Sequence, residues 1–291
     1  MASVDDVDGI QQAAKIILDA DSILVTAGAG MGVDSGLPDF RGSEGLWRAY
    51  PALERSRQDY SEVASRGMFI TDPARAWGFQ GHCLSLYRAA EPHDGFSILR
   101  RWGRAKEHGA FVFTSNVDGQ FQKAGFAEER VHECHGSMQW VQCMEPWCDV
   151  VTTSLALRPV IDEGACRWVG ALPRCRCGGL LRPNVLLFND GMNWRGDRYK
   201  VQAGRMQEWL SRVRRPVVIE LGAGGAIPTV RMTGETLAKK HGGKLVRINP
   251  RQWKLQGAEG VGLSKTAAAG LSEIQAAMKQ LGATNEKADT T

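Results

Sequence analysis

The stretch GAGMGVDSGLPDFRG, residues 28–42, decides the reading of this chain. It follows SILVT, residues 22–26, a short run rich in β-branched and apolar residues. A buried strand that stops at closely spaced glycines opens the strand-loop-helix unit of a dinucleotide-binding fold. Gly28 and Gly30 let the backbone turn tightly and approach a phosphate, but the third glycine of G-x-G-x-x-G falls on Val33. Glycines after a strand also make plain turns, so the loop alone leaves both readings open. The continuation, Ser35 to Gly42, has no core-packing pattern and ends on an aromatic-basic pair, Phe40-Arg41.

Working outward, Ile10 to Asp19 has helical spacing of apolar residues. Three further runs read as buried parallel strands: AFVFTSN from 110, PVVIELG from 216 and KLVRIN from 244. In doubly wound sheets the ligand lies beyond the carboxyl ends of the strands, so the four ends are expected to converge on one pocket. Two stretches break the rhythm. Residues 45–90 read as helices without a strand. Residues 138–187 hold cysteines and prolines with little periodicity. Both read as insertions that build a smaller module. The polar tail 282–291 reads as disordered.

The chain has 291 residues, 43% hydrophobic and 23% charged, as in an ordinary globule with a full core. A net charge of +4 is too small to indicate nucleic acid, and the basic stretch Arg212 to Arg215 reads as a solvated helix end. No apolar run approaches a membrane span, and the acidic start MASVDDVDGI lacks the apolar core of a secretion leader. Five of the seven cysteines fall between Cys143 and Cys177. Such clustering favours a metal in a reducing compartment over a disulfide framework, and a cytoplasmic location is expected.

The string from residue 28 to 42 resembles the first signature of the sirtuins, the NAD-dependent protein lysine deacylases, which has the form GAG-x-S-x-x-SGIPDFRG. Others follow in the family's order. Thr114-Ser115-Asn116-Val117-Asp118 resembles TQNID, His135-Gly136 the HG pair, and Cys175 to Val185 the cysteine-GG-LRP-x-V segment. Ile248-Asn249 stands where the family has IN. The resemblance spans roughly residues 20–275. It implies an α/β fold: a Rossmann-like doubly wound parallel sheet over 1–44, 91–137 and 188–281. A smaller domain then joins a helical module, 45–90, to a zinc module, 138–187. NAD and an acyl-lysine protein or peptide enter between them.

The resemblance also implies roles. Gly28, Ala29, Gly30, Asp39, Phe40, Arg41, Ser115, Val117, Gly222, Ala223, Gly224 and Asn249 belong to the NAD site. Arg41 meets phosphate or ribose, and Phe40 covers the reacting sugar, where an aromatic face excludes water. His135 is the general base, with an ordinary pKa suited to proton transfer near neutrality. Asn116 orients the ribose or a water, and Asp118 accepts from the nicotinamide carboxamide. All three also belong to the NAD site. Read without the other motifs, Asn116 and Asp118 are better taken as caps of the following helix. His132, which no glycine follows, reads as structural.

Cys143 and Cys148 are spaced C-x4-C and Cys175 and Cys177 C-x-C, with 26 residues between the pairs. Two thiolate pairs suit a tetrahedral structural zinc, although C-x-x-C is the usual spacing and Cys166 is an alternative ligand. Cys83 and Cys134 read as small buried residues.

The chain departs from the family at several points. Gly32 replaces the signature serine and Ser115 the glutamine of TQN. Phe188-Asn189-Asp190 stands for FGE, a segment that pairs with substrate peptide, and Gly222-Ala223-Gly224 for GTS. Gln80 and Cys83 stand where members that remove acidic acyl groups carry Tyr-x-x-Arg, so succinyl or malonyl lysine is not the expected substrate. The departures keep two alternatives open: protein ADP-ribosylation or NAD hydrolysis, and a non-catalytic NAD sensor.

Overall fold

A computed structural model describes residues 4–38, 50–55 and 57–288. In chain order the strands are β1 (Ser22–Ala27), β2 (Ala110–Thr114), β3 (Val131–Glu133), β4 (Gly136–Cys143), β5 (Val151–Thr153), β6 (Ile161–Asp162), β7 (Arg167–Trp168), β8 (Leu181–Val185), β9 (Pro216–Leu221), β10 (Lys244–Ile248) and β11 (Gly260–Leu263). Six of them form one sheet, ordered β11-β10-β9-β1-β2-β3, with every pair parallel. The chain runs outward from β1 to β3, then restarts on the other side at β9. That reversal between β1 and β9 is the topological switch point where a doubly wound sheet opens a crevice.

β1 shows why the sheet is covered on both faces. Ile23, Val25 and Ala27 pack under the helices Val4–Asp19, Asp94–Arg104 and Ala267–Ala288. Leu24 points the other way, into a core with Trp209 and Val230 from the helices Asp197–Leu210 and Thr229–Lys240. The period of two places successive residues on opposite faces, and both faces are apolar because both are buried.

The stretches around the described part of 50–89 and 138–187 share a separate core built on Trp77, Phe79, Val141 and Leu181. Trp77 Nε1 donates to the Leu181 carbonyl at 2.8 Å, and Arg88 donates to the carbonyls of Ser154 and Leu157. The cysteine-rich stretch is not irregular: β4 pairs antiparallel with both β5 and β8. The tail corrects its sequence reading. The last helix runs through residue 282 to Ala288, because the apolar residues Leu271, Ile274 and Ala277 anchor its first half in the core and the polar turns simply propagate from it.

Candidate active site and metal centre

The loops after β1, β2 and β9 meet at the switch point. Gly28 N donates to the Leu221 carbonyl at 3.0 Å, Gly30 N to the Gly222 carbonyl at 3.1 Å, and Gly222 N to the Ile248 carbonyl at 3.1 Å. A Cβ on Gly30 would lie 2.7 Å from the Gly222 Cα, and one on Gly222 would lie 2.4 Å from Gly30 while carrying a φ of +58°. Only glycine tolerates both demands. Val33 in the third position is then no defect. The helix Gly30–Val33 is a single turn, and Val33 is exposed, so there is no close helix-strand packing for a third glycine to permit.

These loops and the smaller module enclose a cavity of about 520 Å³. Gly28, Ala29, Ser115, Asn116, Val117, Asp118, His135, Ala223 and Gly224 line it. Gly30, Gly222 and Asn249 stand behind the wall. Asn249 is buried; its Nδ2 donates to the Ala223 carbonyl at 3.0 Å and its Oδ1 accepts from Arg251 N and Gln252 N. It shapes the β9 and β10 loops from behind. Asp39, Phe40 and Arg41 lie outside the described residues.

Asn116 Nδ2 donates to the Gly28 carbonyl at 3.1 Å and ties the β2 loop to the glycine loop. Asp118 Oδ1 accepts from Gln120 N at 2.9 Å, an Asx turn across Gly119, and it is Gly119 that stands at the N-cap of the helix Gln120–Lys123. Its other oxygen is on the Gly32 side, where a Cβ would lie 3.8 Å from it. Burial pushes the Asp118 carboxyl up to about 6. His135 is partly buried, and that burial holds its imidazole below the ordinary value. A neutral ring at pH 7 is the form that accepts a proton. His132, by contrast, is off the cavity. It is buried against Phe113 and Tyr199, neither ring nitrogen has a partner among the described residues, and burial pushes it down to about 4.

The smaller module contributes residues the sequence reading did not single out: Tyr60, Tyr87 and Asp59 also line the cavity, with Leu37 and Phe188. Tyr87 sits at the end of the long helix Pro73–Ala89, one turn beyond the buried Cys83. Its helical spacing from Cys83 is the one signal that places it on the inner face. Gln80 and Cys83 are buried in the module's core and do not line the cavity. Cys83 Sγ faces Tyr50 Oη at 3.6 Å.

The sulfurs of Cys143, Cys148, Cys175 and Cys177 lie within 4.8 Å of one another, with Cys143–Cys177 at 3.5 Å and Cys148–Cys175 at 3.7 Å. A tetrahedral zinc with bonds of about 2.3 Å needs sulfurs ~3.8 Å apart, so the donor set fits that ion. Turns at both pairs aim the thiols inward: Cys148 N donates to the Glu145 carbonyl and Cys175 N to the Gly179 carbonyl. Cys166 is elsewhere, buried under the helix Pro73–Ala89 where its carbonyl fills the space beside Gly78.

A family model for the Sir2 family matches residues 28–208. An NAD-dependent protein deacetylase of Saccharolobus solfataricus is 30% identical over 84% of this chain and 87% of its own length. One from Caldivirga maquilingensis is 34% identical over 83% of each. A solved Sir2 enzyme structure, 27% identical, superposes with a TM-score of 0.68 over 94% of this chain and 99% of its own. This chain belongs to the Sir2 family.

Proposed function

We propose that this protein is an NAD-dependent protein lysine deacylase, releasing nicotinamide and acyl-ADP-ribose. The observation that carries the reading is the gathering of Asn116, Asp118 and His135 in one cavity at the switch point, between the sheet and the smaller module. The curated relatives, named NAD-dependent protein deacetylases, support the activity and the co-substrate. NAD supplies the ribose carbon that accepts the acyl oxygen as nicotinamide departs.

The chain's own groups divide the work. The Asp118 carboxylate accepts from the carboxamide N–H and fixes the orientation of the departing ring. Asn116 sets the Gly28 carbonyl and the loop around the ribose. Neutral His135 takes a proton from a ribose hydroxyl, which lets the acyl group migrate to the sugar. Phe40 and Arg41, on the glycine loop, cover the sugar and meet phosphate. Zinc would be held by Cys143, Cys148, Cys175 and Cys177. Four thiolates leave it no open position, so its part is to hold the ends of the paired strands β4 and β8 together.

The division into a large domain and a two-part smaller one is supported by the separate core around Trp77 and Leu181. A preference for neutral acyl groups is supported by the burial of Gln80 and Cys83 away from the cavity. A cytoplasmic location is supported by the clustered free thiols. Among the described residues no helix is long and apolar enough to cross a membrane. Mass spectrometry of reactions with NAD and an acetyl-lysine peptide tests the function. Acetyl-ADP-ribose and deacetylated peptide should appear together and vanish in His135→Ala. ADP-ribose released equally without peptide would replace the reading with NAD hydrolysis.

A further inference from the structure

A second pocket, about 130 Å³, opens in the smaller module beside Cys143. The two are joined through main chain. Phe188 lines the cavity, its N–H donates to the Ala64 carbonyl, and its carbonyl accepts from Arg66 N at 3.3 Å. The Arg66 side chain then lines the second pocket with Arg182, Arg195 and Asn193, and Met192 is fully exposed at its rim.

Three guanidiniums meet here, and among the described residues only Arg182 has a carboxylate partner. Arg182, buried on β8, donates twice to Asp190, at 2.9 and 2.8 Å. Arg195 binds the carbonyls of Glu145 and Cys148, but among the described residues it meets no carboxylate and its buried Nε has no partner. Arg66 has no side-chain hydrogen bond or ion pair among the described residues. Burial first, and then the charges of Arg66 and Arg195, pull the Arg182 guanidinium below its ordinary value against the opposing pull of Asp190. The cluster therefore carries an excess of positive charge, with the unused N–H donors on Arg66, in a concave, partly desolvated site, which is what a fork of arginines offers to an oxyanion. The volume is well under the roughly 300–1,000 Å³ of pockets for whole small molecules, so the ligand is a group of a few atoms.

We propose that Arg66, Arg182 and Arg195 form a receptor for an oxyanion, a carboxylate or phosphate monoester, carried by a side chain of the substrate protein near its acyl-lysine. A polypeptide whose lysine enters the cavity along the Phe188 wall carries its neighbouring residues past Arg66. The identity of the ligand as part of the substrate rests on the deacylase reading. The anion site itself does not.

The experiment is fluorescence anisotropy with acetyl-lysine peptides that carry phosphoserine, aspartate or serine at successive positions beside the lysine. One phosphoserine position should bind about tenfold more tightly than its serine counterpart, aspartate should fall between, and Arg66→Gln should bring the ratio to one while Arg66→Lys keeps part of it. Equal binding of all peptides to the wild type, or a ratio that Arg66→Gln leaves intact, overturns the proposal. Inorganic phosphate alone, read as thermal stabilisation of the wild type against Arg66→Gln, separates the two readings. If no peptide binds but phosphate stabilises only the wild type, the anion site stands and its source is free phosphate, which overturns the substrate assignment. Equal stabilisation overturns the site.

Discussion

The carbonyl of Asn184 occupies the place where a side chain on Gly136 would be: a Cβ there would lie 2.2 Å from that oxygen. Gly136 also has a φ of +81°, and its neighbour His135 accepts from Leu186 N at 2.9 Å. The glycine of the histidine-glycine pair thus lets β4 press onto β8 and fixes the backbone that presents the imidazole. Gly136→Ala must adopt a left-handed conformation and displace Asn184. It should lose about 2–4 kcal/mol of stability by urea denaturation, summing backbone strain and overpacking, with turnover falling along with it. A variant as stable and active as the parent would show that the close approach is not needed.

The pH profile should report two groups. As the proposed base, His135 works only when neutral, and burial lowers its pKa, so it stays competent at pH 7 and fails as pH falls through that lowered value. Asp118, pushed up to about 6, accepts a hydrogen bond only when ionised, which again requires higher pH. Both signs agree, so kcat/KM should fall below pH ~6 with a slope approaching two protons. Asp118→Asn should leave weaker activity whose acid limb is a one-proton slope. An unchanged two-proton limb would remove Asp118 from the assignment.

Much of this was legible from the chain, and the gaps have physical causes. SILVT and PVVIELG read as strands because both faces are buried and β-branched residues fill them. β3 and β11 escaped because Val131–Glu133 is three residues long and Gly260–Leu263 is half glycine, too little pattern to register. The direction of the Asn249 amide, which faces Ala223, was not legible, since a strand-end position does not reveal which way a side chain turns. Tyr60 and Arg66 carried no signal at all. Their place depends on the meeting of residues 64–66 with Phe188, more than a hundred positions away.

Metal removal should separate the two halves of the molecule. Chelation, or Cys175→Ser, should release one zinc per chain and abolish deacylation, because the β4–β8 pair and Phe188 lose their support. Cys166→Ser should keep full zinc by elemental analysis, since that thiol is not among the four gathered sulfurs. Zinc loss in Cys166→Ser would restore it as a ligand.

Acyl preference follows from what the long helix buries. Gln80 and Cys83 present no cation to the cavity, and Tyr60 and Tyr87 line it instead. Burial pushes the Tyr60 phenol up to about 12, so it remains neutral and offers a hydroxyl. Acetyl-lysine should be turned over at least about tenfold faster than succinyl-lysine, the factor expected from ~1.4 kcal/mol of unpaired carboxylate. Comparable kcat/KM for the two peptides would overturn this.

The register beneath the cofactor loops rests on an ion pair. Arg247 of β10 and Glu220 of β9 are direct neighbours across the sheet, both fully buried, joined at 2.7 and 2.9 Å. Each lies two residues before a loop residue at the site, Asn249 and Gly222 respectively. Removing Arg247 leaves buried Glu220 only its 3.7 Å contact with Arg231 and also takes a partner from Glu235, and a buried charge that loses its main partner costs more than the pair itself contributes. Arg247→Met should lower stability by about 3–5 kcal/mol, and adding Glu220→Gln should recover a large part of that loss, a coupling readable in a double-mutant cycle. Additive losses in the two substitutions would mean that the charges do not interact energetically, and that hydrophobic pairing of β9 with β10 alone sets the position of the Gly222 loop.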